Sequence, residues 1–165
     1  MKKRLFTRQS FYFIIIAQGE TKMKQKPFDS AIIKRAIKQA RLERDHSDFR
    51  FHRLGAVIFT SKKILTSGHN TNRTNPTQVK YNRYRPFHCE SCACHAEMSA
   101  LLRLKRFFPD IHAQDVGILV YRETASGELA LARPCPACEK ALRDYGITDI
   151  YYTGKNSMVY EKYKL

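Results

Sequence analysis

The sequence predicts one α/β domain in which helices cover a sheet of mixed strand direction. Three observations carry this expectation. The 165 residues suit a single buried core and leave little room for a second. The apolar pattern switches between helical and strand periods in the order α-β-β-α-β-α-β, with a closing β segment. An early hairpin and a later strand-helix-strand run call for both antiparallel and parallel pairing.

The elements follow in chain order. Residues 28–44 have Ile32, Ile33, Ala36, Ile37 and Ala40 at helical spacing, with basic residues between and Asp29 or Ser30 as cap. Residues 55–60 read as a buried strand, and the turn at 61–63 leads into a second strand over 64–67. Gly68-His69-Asn70 closes the hairpin. The polar stretch from Thr71 to Cys94 has no clear period and reads as a long functional loop. A helix over 95–108 follows, then a strand over 116–121. A further helix over 134–145 has Gly146 placed as its C′ residue. Strands over 147–152 and 158–165 complete the chain, with turn residues at 153–157.

Composition narrows the class. At 43% hydrophobic and 27% charged, the chain is globular rather than disordered. No stretch is apolar for the roughly 18 residues that span a bilayer, so no membrane role is expected. The net charge is +15, and residues 1–94 hold 20 Lys and Arg against six Asp and Glu. The basic excess thus belongs to the first half, as a face for an anionic partner or as a solvated surface. Residues 1–27 form a basic N-terminal extension, a disordered arm or an edge strand, ahead of a domain over 28–165. Its apolar run 11–17 only faintly resembles a signal peptide, and Met23 is an alternative start. The five cysteines fall in two groups, Cys89, Cys92 and Cys94, then Cys135 and Cys138. An odd number in tight groups argues for metal binding in a reducing cytoplasm over a disulfide framework.

The chemistry lies in His95-Ala96-Glu97 and Pro134-Cys135-Pro136-Ala137-Cys138. Each motif opens a predicted helix. Cys135 and Cys138, at i and i+3, share one helix face and with His95 make three ligands suited to Zn²⁺. Three protein ligands leave a fourth position for water, as in catalytic zinc sites. Helix N-termini favour thiolate over thiol. Glu97, two residues from His95, is placed to move protons as general base and then general acid. Activated water with a proton carrier suits attack on a carbon that bears an amino group.

His-x-Glu followed by Pro-Cys-x-x-Cys resembles the zinc-dependent cytidine and deoxycytidylate deaminase superfamily. The hairpin Gly55-Ala56-Val57-Ile58 to Gly68-His69-Asn70, and residues 135–152, resemble the family's as well. The resemblance implies a three-layer α/β/α cytidine-deaminase-like fold with a mixed five-stranded sheet. It implies zinc on His95, Cys135 and Cys138, and Glu97 as the proton shuttle. The backbone N–H of Ala96 or Cys135 would steady the tetrahedral intermediate, and Asn70 matches the position that touches the sugar. The implied reaction converts CMP, dCMP or cytidine to the uracil form with release of ammonia, in a homo-oligomer. A tight turn at Gly154 would set the last two strands antiparallel, as in the cytidine deaminase branch. Deoxycytidylate and nucleic-acid deaminases usually run them parallel.

Other features keep alternatives open. Ala132 and Arg133 stand where many members carry a hydroxyl residue and a glutamate. The stretch Lys80-Tyr81-Asn82-Arg83-Tyr84-Arg85 suits phosphate binding and base stacking, or an inert surface. A deaminase of single-stranded nucleic acid or tRNA is the rival enzyme, and a non-catalytic zinc-stabilised nucleic-acid-binding module is the rival of another class. Cys92 or Cys94 as a fourth ligand would close the zinc site. His88, Cys89 and Cys92, with His46 or His52, offer a partial set for a second zinc, against free buried thiols.

Overall fold

A computed structural model of the chain describes residues 13–17, 20–22, 29–42, 53–61, 63–86, 93–155 and 157–162. The strands are β1 (Phe13–Ala17), β2 (Glu20–Lys22), β3 (Arg53–Phe59), β4 (Ile64–His69), β5 (Thr71–Thr74), β6 (Ala93–Cys94), β7 (Gly117–Glu123), β8 (Asp149–Thr153) and β9 (Met158–Lys162). The helices are α1 (Ser30–Ala40), α2 (Pro76–Asn82), α3 (Ala96–Phe107) and α4 (Pro136–Asp144), with a short 3-10 turn at Ala113–Asp115. The main sheet runs β2-β1-β9-β8-β7-β3-β4, and β5 pairs with β6 apart from it. The five expected strands are thus contiguous, and β1 and β2 add two more beyond β9.

Strand direction is mixed. The β7–β8 pair is parallel, as a strand-helix-strand crossover through α4 requires, and the β3–β4 hairpin is antiparallel. β8 and β9 are antiparallel, joined by a turn in which Gly154 N–H donates to Ser157 O at 2.7 Å. That resolves the open direction of the closing strand.

Side-chain alternation sorts the sheet into two faces. Val57, Leu119 and Tyr121 pack with Ile32, Ile33, Ala36 and Ala40 of α1. Ala56, Ile58, Ile118, Val120 and Ile150 pack on the other face with Met98, Leu101 and Leu104 of α3 and with Ala141 and Leu142 of α4. The three layers follow directly. β7 is buried along almost its whole length, as a central strand covered on both faces must be. Each fully buried Leu or Ile contributes roughly 1.5–3 kcal/mol.

Helix ends follow local chemistry. Asp29 caps α1 by accepting from Ala31 N–H at 2.8 Å. Gly146, at φ +76°, follows the end of α4 in the left-handed conformation that favours glycine. Two other glycines admit close approach. A Cβ on Gly55 would lie 2.2 Å from Ala36 O of α1, and one on Gly68 would lie 2.5 Å from Ala100 N of α3.

The stretch 71–94 departs from the expected loop. Its residues form β5, α2 and β6. Asn75 caps α2 by accepting from Thr77 N–H at 2.9 Å and Gln78 N–H at 3.3 Å, and Pro76 opens the helix. Among the described residues, no helix is long and apolar enough to cross a membrane.

Candidate metal centre

Two helix starts bring the ligands together. His95 precedes α3 and Cys135 precedes α4, each with extended backbone (ψ 156° and 161°) and no capping bond from its side chain. Their side chains are therefore available to each other. Cys138, one turn into α4, is buried on the same side. His95 Nδ1 lies 3.6 Å from Cys135 Sγ and 3.4 Å from Cys138 Sγ. A tetrahedral zinc, with bonds of about 2.3 Å to sulfur and 2.0–2.1 Å to nitrogen, sets N and S ligands about 3.5 Å apart. The three donor atoms lie within 4.8 Å of one another, so the set fits a zinc ion in spacing and in donor chemistry.

The backbone holds this geometry from several sides. Pairing of Thr71 with Cys94 sets Asn70 and His95 at the same end of the β5–β6 ribbon. His95 N–H donates to Gln78 Oε1 at 3.2 Å, and Gln78 Nε2 donates to Asn82 Oδ1 at 2.9 Å. Gln78 is wholly buried, so α2 is a strut beneath the histidine. Tyr81 is also buried and donates to Asp144 Oδ2 of α4 at 3.0 Å. It is therefore a core residue rather than a base-stacking one. Tyr84 is exposed, with the Arg83 guanidinium 5.4 Å and Lys140 Nζ 5.8 Å from its ring centroid.

Glu97 lies two residues into the same helix and is 3% exposed, and among the described residues its Oε2 has no hydrogen-bond partner. Burial raises its pKa above the ordinary carboxylate value, against the opposing pull of His95. The two cysteines behave as a pair. A hydrogen bond from Cys138 holds Cys135 down at about 3, against its burial and with help from His95. The same bond, with burial, pushes Cys138 well up. Burial lowers the pKa of His95, but the bond to Cys135 and the charge of Glu97 outweigh it and leave a net rise. Arg85 reaches the cluster as well. Its Nη2 is 3.4 Å from His95 Nδ1, in close contact with His95 Nε2, and 3.7 Å from Cys135 Sγ.

Residues 27–154 match the family described as the cytidine and deoxycytidylate deaminase zinc-binding region. The chain belongs to this family. Among solved structures, this deaminase-family chain is similar to a cytidine deaminase from Burkholderia pseudomallei, with TM-score 0.54 and 21% identity over 82% of this chain and 92% of that one. It also matches a dCMP deaminase from the cyanophage S-TIM5 in apo form, with TM-score 0.49 and 21% identity over 74% of this chain and 79% of that one. No curated protein matches it. The cytidine deaminase likeness carries the three-layer fold, and the family match carries the zinc-binding region.

The remaining expected site residues take these places. Ala96 is fully buried at the first position of α3, where backbone N–H groups lack intrahelical acceptors. Asn70 Oδ1 accepts from Leu54 N–H at 3.0 Å, which ties the hairpin exit to the sheet. Arg133 forms a two-pronged pair with Glu161 at 2.9 and 3.1 Å. Cys94 is buried with its sulfur directed to His95 O at 3.7 Å, and burial raises its pKa to about 11. His46, His52, His88, Cys89 and Cys92, the proposed second zinc set, lie outside the described residues. Sequence reasoning missed Gln78. Its signal was the Asn75-Pro76 pair, a helix start that aligns Gln78 and Tyr81 on one buried face.

Proposed function

We propose that this family member hydrolytically deaminates a cytosine-type base, converting CMP, dCMP or cytidine to the uracil form. The observation that carries the proposal is the buried Glu97 carboxylate, with one oxygen unpartnered among the described residues, beside a His-Cys-Cys cluster of zinc spacing. His95 Nδ1, Cys135 Sγ and Cys138 Sγ would hold the metal. Bound zinc supplies Lewis-acid activation of water.

The chain's own groups do the rest. Glu97 Oε2 takes the proton from the attacking water and passes it to the departing amino group. The water oxygen adds to the amino-bearing carbon, its two protons end on the ring nitrogen and on the amino group, and the C–N bond then breaks to release ammonia and restore the carbonyl. A carboxyl group with a raised pKa suits both directions of transfer. The first-turn N–H of Ala96 is a donor for charge that develops on the base. Asn70, with its oxygen engaged by Leu54, offers its amide nitrogen to the sugar.

Substrate preference follows from the surroundings. Residues 71–86 carry Arg73, Lys80, Arg83 and Arg85 and no acidic residue, which favours a phosphate-bearing substrate. The antiparallel β8–β9 pair favours a small free substrate, by resemblance to the cytidine deaminase branch. A second reading, a single-stranded polynucleotide, draws on exposed Tyr84 with its two neighbouring cations.

Ammonia release from cytidine, CMP, dCMP, single-stranded DNA and tRNA, with Glu97→Ala as control, tests these readings. Turnover of CMP or dCMP that Glu97→Ala abolishes is the expected result. Turnover of polynucleotide alone would move the assignment to the second reading. Bound zinc with no turnover of any substrate would make the chain a non-catalytic zinc-stabilised module.

A further inference from the structure

We infer that Arg122 is a substrate-binding residue whose guanidinium takes the phosphate of a cytosine mononucleotide. This rests on the function proposed above and names the group that would select CMP or dCMP over cytidine. Leu54 of β3 pairs with Arg122 of β7. Leu54 also exchanges hydrogen bonds with Asn70, donating to Oδ1 at 3.0 Å and accepting from its N–H at 3.4 Å. Asn70, Leu54 and Arg122 thus form one row across the sheet, about 10 Å long at the usual strand spacing. The next row, Gly68, Ala56 and Val120, lies under the first turn of α3, since a Cβ on Gly68 would meet Ala96 O and Ala100 N. Thr66, further back along β4, donates to Ala100 O, so α3 starts at the Asn70 end of the sheet. Leu54 and Val120 pack on the face that α3 and α4 cover. Arg122, opposite Leu54 and two residues beyond Val120, belongs to that same face.

The backbone holds Arg122 between the two halves of the site. Its N–H donates to Thr153 Oγ1 at 3.0 Å, and Thr153 O accepts from Ala132 N–H at 2.8 Å, two residues before Pro134. The side chain is only partly satisfied. Nη1 donates to the carbonyl of exposed Leu131 at 3.2 Å, while Nε is buried without a hydrogen-bond partner among the described residues. The adjacent carboxylate, Glu123, is engaged by Arg41 and Tyr121 on the opposite face. A buried donor without an acceptor is costly, and a ligand that brings one relieves the cost. Phosphate matches a guanidinium in charge and in two-pronged geometry, whereas lysine would supply charge without the planar fork. With the base at the metal centre and the sugar at Asn70, the far end of the row is left for the phosphate.

The test measures calorimetric affinity for dCMP and for deoxycytidine, with zinc-loaded full-length protein as wild type, Arg122→Gln and Arg122→Lys. The wild type should prefer dCMP. Arg122→Gln should bind dCMP about 10- to 100-fold more weakly and so lose most of that preference, with Arg122→Lys intermediate. In turnover of dCMP the loss should fall on KM rather than kcat. If Arg122→Gln does not fold, Arg122→Lys carries the comparison. Equal weakening for both ligands, or no change for either, would overturn the role of Arg122. Weaker binding of a single-stranded oligodeoxycytidylate alone, with dCMP affinity as in the wild type, would overturn the assignment to a mononucleotide phosphate. A wild type that shows the expected binding pattern and releases no ammonia would overturn the deamination reading and leave the role of Arg122 intact.

Discussion

Glu97 and Glu123 are both carboxylates buried to within a few per cent, at 3% and 1% exposure, and the protein treats them in opposite ways. Glu123, at the end of β7, accepts from Arg41 Nε and Nη2, each at 2.9 Å, and from Tyr121 OH at 3.1 Å. Arg53 lies 3.6 Å away on the neighbouring strand. Burial alone would raise its pKa, but Arg41, Tyr121 and Arg53 together outweigh burial and hold it below the ordinary value. Among the described residues one oxygen of Glu97 has no partner, and burial drives its pKa up. The satisfied carboxylate ties α1 to the sheet, whereas the other is the one we propose as the proton carrier.

The comparison breaks most sharply at Glu97. Glu97→Ala should lower ammonia release by about 10²- to 10⁴-fold while metal content and melting temperature hold or rise. Metal analysis and calorimetry on the assayed sample check this. A large loss of stability would place Glu97 with Glu123 among the structural carboxylates.

The two tight glycines extend the contrast to the faces of the sheet. A Cβ on Gly55 meets the backbone of α1, and one on Gly68 meets Ala100 N and Ala96 O of α3 at 2.5 and 2.7 Å. Each substitution to alanine should cost about 1–3 kcal/mol of stability, read by urea unfolding. Only Gly68→Ala pushes on the helix that carries His95 and Glu97, so only it should lower turnover per folded molecule.

Glu123→Gln should cost about 1–3 kcal/mol, moderated because Arg41 and Arg53 are each about a third exposed. Its turnover per folded molecule should match wild type. The pH dependence has a fixed sign. A carboxyl whose folded pKa lies below its unfolded one stabilises above the unfolded value, 4.5 here, and loses that contribution as pH falls through the folded value. The urea midpoint of the wild type should therefore converge on that of Glu123→Gln as pH is lowered below that point. The smallest effect concerns the cap of α2, where Asn75→Ala should cost about 1 kcal/mol.

These contrasts also explain what the sequence made legible. Cys135 and Cys138 are three residues apart, and His95 and Glu97 two, so each half of the candidate site is written in a local motif, although the halves meet across 40 residues. α1, α3 and α4 bury periodic apolar faces, and β3 is a continuous apolar run covered on both sides of the sheet. α2 is short and buries Gln78 and Tyr81 rather than an aliphatic stripe, so its pattern resembles a polar loop. Its stability comes from the Asn75 cap and from ties to His95 and Asp144, partners 17 and 63 residues distant from Gln78 and Tyr81. The Glu123 cluster was equally hidden, since Arg41 is 82 residues away. The direction of β9 depended on a turn at Gly154, which the sequence located but did not orient.

The measurement that tests the central claim most directly is ammonia release from dCMP and CMP beside zinc content, for wild type and Glu97→Ala from the same preparation. Both proteins should carry one zinc in the His95, Cys135 and Cys138 site, with turnover in the wild type alone. Equal turnover in the two proteins, or a wild type with zinc and no turnover, would contradict it.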